Sequence, residues 1–220
     1  MPWIAGFSKR QVTADSPQTS HCQAKPKRWS ARNDLLAIPA VCLLGLTPVR
    51  ANAQPVSFTC PRAGTVVEYA SGQESYLGTV PGNPFICAKK NLWGKDKTLI
   101  FNFYLVMDSD VPAVQAGMQA LMANPGQPVS FIYIAASNRN QYKDTWVLLR
   151  REFVVLDDRK IDAVVFGREQ EGRLGNSFHS KSTWWLDPRT GVWLKSEVTV
   201  LAGQAIGLST AGSVIRIVEP

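Results

Sequence analysis

The sequence predicts a mainly β fold: a strongly twisted antiparallel sheet, or half-barrel, with one packed helix at about residues 109–123. Three observations carry this. Period-2 runs dominate the chain after residue 54, the connections between them are short turn signals, and a single segment repeats its apolar residues at helical spacing. Short connections between strands imply antiparallel hairpins rather than parallel crossovers.

In chain order, "GTVVEYA" and "QESYLGTV" flank Ser71-Gly72 and read as a hairpin, after which "NPFICAKK" brings Cys87 back toward Cys60. In "TLIFNFYLVM", residues 98–107, every odd position is large and apolar (Leu99, Phe101, Phe103, Leu105, Met107), which predicts one strand with a buried face. The helix follows in "SDVPAVQAGMQALMANPG". Ser109 or Asp110 can cap it, Pro112 suits its first turn, and Val111, Val114, Met118, Leu121 and Met122 form its apolar stripe before Asn124-Pro125-Gly126 ends it. Its methionines read as core rather than as a ligand surface.

Six further strands are expected in "PVSFIYIAAS", "YKDTWVLLRREFVVL", "IDAVVFGREQ", "SFHSKSTWWL", "VWLKSEVTVL" and "GSVIRIVE". The turn "DPRTG" places Pro188 where its fixed φ suits a type I turn and Gly191 where a left-handed residue is needed. That turn pairs Leu186 with Val192, Trp185 with Trp193 and Trp184 with Leu194. Trp184 then faces the core, while Trp185 and Trp193 stack across strands on the opposite, more polar face.

The N-terminus reads as an export signal. Lys9, Arg10, Lys25, Lys27, Arg28 and Arg32 precede the apolar run "LLAIPAVCLLGL" and the A-x-A site Ala51-Asn52-Ala53, so residues 1–53 form a signal peptide and 54–220 a single β-rich domain. The apolar run is too short for a good transmembrane span. Cys42 follows Val41, where a lipoprotein signal needs a small residue. The formal charge of +7 suggests an anionic partner, but residues 1–53 hold seven of the 24 Lys and Arg and two of the 17 acids. The remainder carries 17 against 15, or +2, and with it goes the case for nucleic acid.

Cys60 and Cys87 are the pair left in the domain, and in an exported protein they read as a disulfide contributing roughly 3–4 kcal/mol. No C-x-x-C occurs, and zinc has only His179 as a nitrogen ligand in the domain. No cofactor motif is present: "AGQAIGLSTAG" lacks the ending of a phosphate loop. His179 has no nucleophile elbow beside it, Asp157, Asp158 and Asp162 surround a turn, and Glu68 and Glu74 read as hairpin acids.

From "REFVVLDDRKIDAVVFGRE" to "STWWLDPRTGVWLKSEV" the chain resembles uncharacterised exported proteobacterial β-rich proteins, the resemblance being carried by Trp184, Trp185, Asp187, Pro188, Gly191 and Lys195. It also looks like the half-barrel of periplasmic lipoprotein carriers, and that likeness implies a curved sheet covered by helices and holding acyl chains. The expected protein is therefore periplasmic or secreted and non-enzymatic, binding a hydrophobic small molecule, a lipid or an envelope protein. The concave sheet face and an aromatic platform of Tyr133, Trp146, Trp185 and Trp193 are the expected site. An envelope assembly factor and a hydrolase dependent on His179 are the alternatives.

Overall fold

The computed structural model describes residues 55–204 and 212–220; the predicted signal peptide lies outside them. Ten strands and one α-helix follow the expected order: β1 (Val66–Tyr69), β2 (Gly72–Thr79), β3 (Ile86–Lys90), β4 (Asp96–Ile100), α1 (Val111–Ala123), β5 (Val129–Ile134), β6 (Gln141–Leu156), β7 (Arg159–Gly172), β8 (His179–Asp187), β9 (Val192–Ala202) and β10 (Val214–Val218). The fold is mainly β, antiparallel throughout, with one helix packed on it.

Where one sheet was expected, the hydrogen bonds divide the strands into two of five strands each, ordered β10-β1-β2-β3-β4 and β5-β6-β7-β8-β9. The first contains both ends of the described chain, since β10 pairs with β1, Val67 lying opposite Ile217. The second is a meander of neighbours, dominated by the long β6–β7 ribbon.

Residues 98–107 do not form one strand. β4 ends at Ile100, Phe101 and Asn102 take left-handed φ of 51° and 54°, and the chain doubles back so that Ile100 bridges Tyr104. The reversal buries Ile100, Phe101, Tyr104 and Val106 and leaves Leu105 exposed, so the expected odd-numbered face does not exist. Tertiary contacts stabilise the reversal: Trp193 Nε1 donates to the Phe101 carbonyl at 3.1 Å, and Asn102 Nδ2 donates to Tyr76 Oη at 2.8 Å and the Gly191 carbonyl at 3.1 Å.

α1 buries Val114, Met118, Leu121 and Met122, as its spacing predicts. It approaches β5 so closely that a Cβ on Gly117 would lie 2.2 Å from the Phe131 ring. Asp110 is the N-cap residue but does not cap with its side chain; its Oδ2 accepts from the Ile134 backbone N–H at 2.7 Å, joining helix to sheet. No described helix is long and apolar enough to cross a membrane.

The second sheet is covered on both faces at its centre. Val164, Phe166, Trp184, Leu186 and Trp193 belong to a core shared with α1, while Val165, Trp185, Val192 and Leu194 belong to a second core shared with β1, β2 and β10. Alternate residues of a strand point to opposite faces, so a run of consecutive apolar residues such as Trp184-Trp185-Leu186 marks a strand buried on both sides. Cys60 and Cys87 form a disulfide that ties the segment before β1 to β3. Beside it, Gly191 meets the Thr59 carbonyl so closely that a Cβ would lie 1.8 Å from that oxygen, which requires glycine there as much as its φ of 71° does.

Candidate functional site

Tyr133, Trp146, Trp185 and Trp193 are all buried, at 0–9% exposure, and form no exposed platform. The expected stack of Trp185 on Trp193 is absent because the hairpin closes on the pair Asp187–Val192 instead of Leu186–Val192, which sets Leu186 opposite Trp193; a bulge beyond that pair then sets Trp185 opposite Lys195. A one-residue change of register moves one ring to the other face. Trp193 enters the helix-side core, 6.1 Å from the Trp184 ring, whereas Trp185 enters the sheet-to-sheet core beneath Lys195 Nζ at 3.9 Å and donates to Glu152 Oε1 at 3.2 Å. Asp187 holds the turn responsible: its Oδ1 accepts from Arg189 N and its Oδ2 from Thr190 Oγ1.

Trp146 and Tyr133 belong to a polar network sealed inside the helix-side core. Asp144 Oδ2 accepts from Arg168 Nε at 2.7 Å, from Trp146 Nε1 at 3.3 Å and from the Tyr104 hydroxyl. Arg168 Nη2 and Gln170 Nε2 both donate to Tyr133 Oη, at 3.1 and 2.6 Å. The guanidinium lies 5.1 Å from the Phe103 ring centre and 5.5 Å from that of Trp146. Burial, the largest single influence, lowers the Arg168 pKa, but the adjacent Asp144 carboxylate together with the Tyr133 and Tyr104 oxygens outweighs it and holds the guanidinium above its ordinary value. Burial, reinforced by the same carboxylate, pushes the phenols of Tyr104 and Tyr133 upward. The strand register builds this site: Tyr142, Asp144, Trp146 and Leu148 alternate inward along β6, with Gln170, Arg168 and Phe166 opposite the last three in turn. The lining is filled by side chains, and its chemistry is that of a buried, hydrogen-bonded ion pair.

The accessible features lie at the other end of the β6–β7 ribbon. Phe153 and Val155 are 62% and 71% exposed, on large apolar side chains that no other element covers among the described residues. A depression of about 370 Å³ is bounded by Arg159 to Asp162 of β7, the 187–189 turn and Ile217 of β10. A second, of about 350 Å³, is bounded by Glu152 to Leu156 of β6, Leu194 and Lys195 of β9, and Ser213-Val214. β6 and β9 are separated by two strands in the sheet, so their shared wall reports how strongly the sheet curls. Lys160 Nζ sits 4.5 Å from the Phe153 ring centre, joining charge to aromatic surface.

The polar candidates on the sheet's outer face are paired. His179 Nε2 lies 2.8 Å from Glu169 Oε1, and that contact holds the Glu169 carboxyl below its ordinary range. Among the described residues the His179 ring hydrogen-bonds to no serine or cysteine. The register adds Glu169 and Glu171 to His179 as ligand atoms within 4.8 Å of one another, a metal-sized grouping that counting nitrogen ligands does not detect. Lys181 and Lys143 stand 3.7 and 3.9 Å from those carboxylates and occupy them as ion-pair partners. Glu68 pairs with Arg216 and Glu74 with Lys89, so the two hairpin acids do not face each other. Sequence reasoning missed Phe153. Its signal was present: with the turn at Asp157-Asp158, Phe153 falls opposite Asp162, an apolar residue on a charged rung.

No family model matches the chain, and no curated protein matches it. Among solved structures, the hypothetical lipoprotein YmcC from Escherichia coli (K12) aligns over 64% of this chain and 84% of its own, with 12% sequence identity and a TM-score of 0.40.

Proposed function

We propose that the protein is exported and acts without catalysis, as a binding protein for a hydrophobic ligand or an apolar component of the cell envelope. The observation that carries this reading is the exposed apolar end of the β6–β7 ribbon, where Phe153 and Val155 stand beside two depressions. A soluble protein that keeps such side chains in water without a structural need for them is using them for contact. The Cys60–Cys87 bond supports an oxidising compartment, and the basic and apolar segments of residues 1–53 supply the export signal. The neutral probe N-phenyl-1-naphthylamine should brighten on binding, and Phe153→Ala with Val155→Ser should abolish the signal while leaving the melting temperature within a few degrees. Full brightening by the double variant would reject the ribbon end as the site.

A second reading, assembly with an envelope protein, draws on β9. Among the described residues this strand pairs with β8 alone, and Val200 and Leu201 are 40% and 50% exposed. Such an edge accepts an added strand. Val200→Pro would block that pairing and should remove partner capture without affecting probe binding.

A further inference from the structure

The 370 Å³ depression differs from its neighbour in charge. Four cations line it (Arg151, Arg159, Lys160 and Arg189) against two acids, Asp162 and Asp187. Arg151 is held by Asp162 at 2.7 Å, and Arg189 by Glu219 at 2.8 Å and by Asp187 at 4.0 Å. Arg159 and Lys160 are left over: among the described residues neither has a carboxylate within 4.0 Å. Arg159 Nη2 donates to the Ile217 carbonyl, its one side-chain hydrogen bond among the described residues, and Lys160 rests on the Phe153 ring. The remaining walls are apolar, supplied by Ile161, Pro188 and Ile217.

Resting on the binding reading above, we infer that this depression is a headgroup site for a single-chain anionic amphiphile: an oxyanion carried on an aliphatic chain, rather than a free anion or a neutral lipid. Charge complementarity selects the head. An arginine fork offers paired N–H donors to phosphate or carboxylate, and a neighbouring ammonium adds a point charge. The chain would lie on Ile161, Pro188 and Ile217, while Phe153 and Val155, on the opposite face of the ribbon, adjoin the depression only at its edge, where Lys160 rests on the Phe153 ring. The volume of the depression lies near the lower end for ligand sites and suits a head with the first part of a chain. Because Arg159 and Lys160 are adjacent on β7, their side chains project to opposite faces, so the oxyanion would bridge them at the ribbon's edge.

The test is isothermal titration of the full chain with octyl phosphate, octyl glucoside and inorganic phosphate, repeated on Lys160→Gln and Arg159→Gln. Among the described residues the Lys160 side chain makes no hydrogen bond, so its variant stays folded even if the Arg159 variant is weakened by loss of the Ile217 contact; circular dichroism checks both. Octyl phosphate should bind at least tenfold more tightly than either control, and each substitution should weaken it about fivefold, the scale of a partly exposed charge-assisted contact. Equal binding of octyl phosphate and octyl glucoside, insensitive to Lys160→Gln, would overturn the charge inference and leave the apolar-binding reading intact. Equal binding of octyl phosphate and inorganic phosphate would identify a simple anion site and overturn it too. Absence of binding by both amphiphiles would reject the inference and the reading together.

Discussion

The β6–β7 ribbon carries two arginine–aspartate pairs, one at each end, and both close to 2.7 Å. Asp144 and Arg168 have side chains 0% and 6% exposed, whereas Arg151 and Asp162 are 43% and 49% exposed. The same two side-chain types, on the same two strands, at the same separation, therefore do different work. Water screens the outer pair and competes for each of its hydrogen bonds. The inner pair has lost its water and depends entirely on its partners, so breaking it leaves a charge with nowhere to go. Distance alone does not rank these contacts; surroundings do.

The largest effect should come from breaking the inner pair on one side. Asp144→Ala strands Arg168 among Phe103, Tyr104 and Trp146 and should cost about 3–5 kcal/mol in urea unfolding, against under about 1 kcal/mol for Asp162→Ala at the outer end. Alkali should probe the same interior. The phenols of Tyr104 and Tyr133 are raised above their ordinary 10.0, so they stay neutral in the folded protein where the unfolded chain would ionise. Their contribution is complete below pH 10 and is lost as pH rises above it. Phenolate absorbance from these two residues should thus emerge together with loss of the far-ultraviolet signal, not ahead of it. Asp144→Leu combined with Arg168→Met sharpens the comparison, because it removes both charges while keeping apolar volume. It should recover most of the Asp144→Ala loss, to within about 2 kcal/mol of the parent. The smallest effect is expected for Arg151→Ala, about 0.5 kcal/mol and further reduced by salt.

The inner pair was partly legible from the residues. In "YKDTW" the period-2 rule puts Asp144 on the same face as Tyr142 and Trp146, and an acid on an apolar face is a signal of a buried partner. Arg168 and Gln170 share that parity with Phe166. Finding that they meet required the β6–β7 register, in which a bulge between Leu148 and Arg150 shifts the pairing by one. Local patterning was also enough for α1, the hairpins and the disulfide, since each depends on residues close in sequence or on a single possible pairing. It failed at Phe101-Asn102, where neither glycine nor proline announces a reversal. The left-handed turn there is held by Trp193 and Gly191, about ninety positions away, and only the willingness of asparagine to adopt that conformation hinted at it. The tryptophans were misplaced by a one-residue change of register: the turn closes on Asp187 and Val192, and nothing in "DPRTG" announces that choice over Leu186 and Val192. Consecutive apolar residues at 184–186 and 192–194 did carry the correct message, that both faces of the sheet are covered.

The two sheets also differ in when they can be completed. β5 to β9 use the continuous stretch 129–202, with every pairing between neighbours, so the second sheet can assemble as a sequence of local closures once that stretch exists. The first sheet cannot. Its edge strand β10 is made after every other described strand, and it must travel back to β1 to cover Val67. Until then the sheet-to-sheet core lacks Val214 and Ile217, and β1 has a bare edge open to any passing strand. The period between synthesis of β1 and arrival of β10 is therefore the interval in which this chain most needs a chaperone.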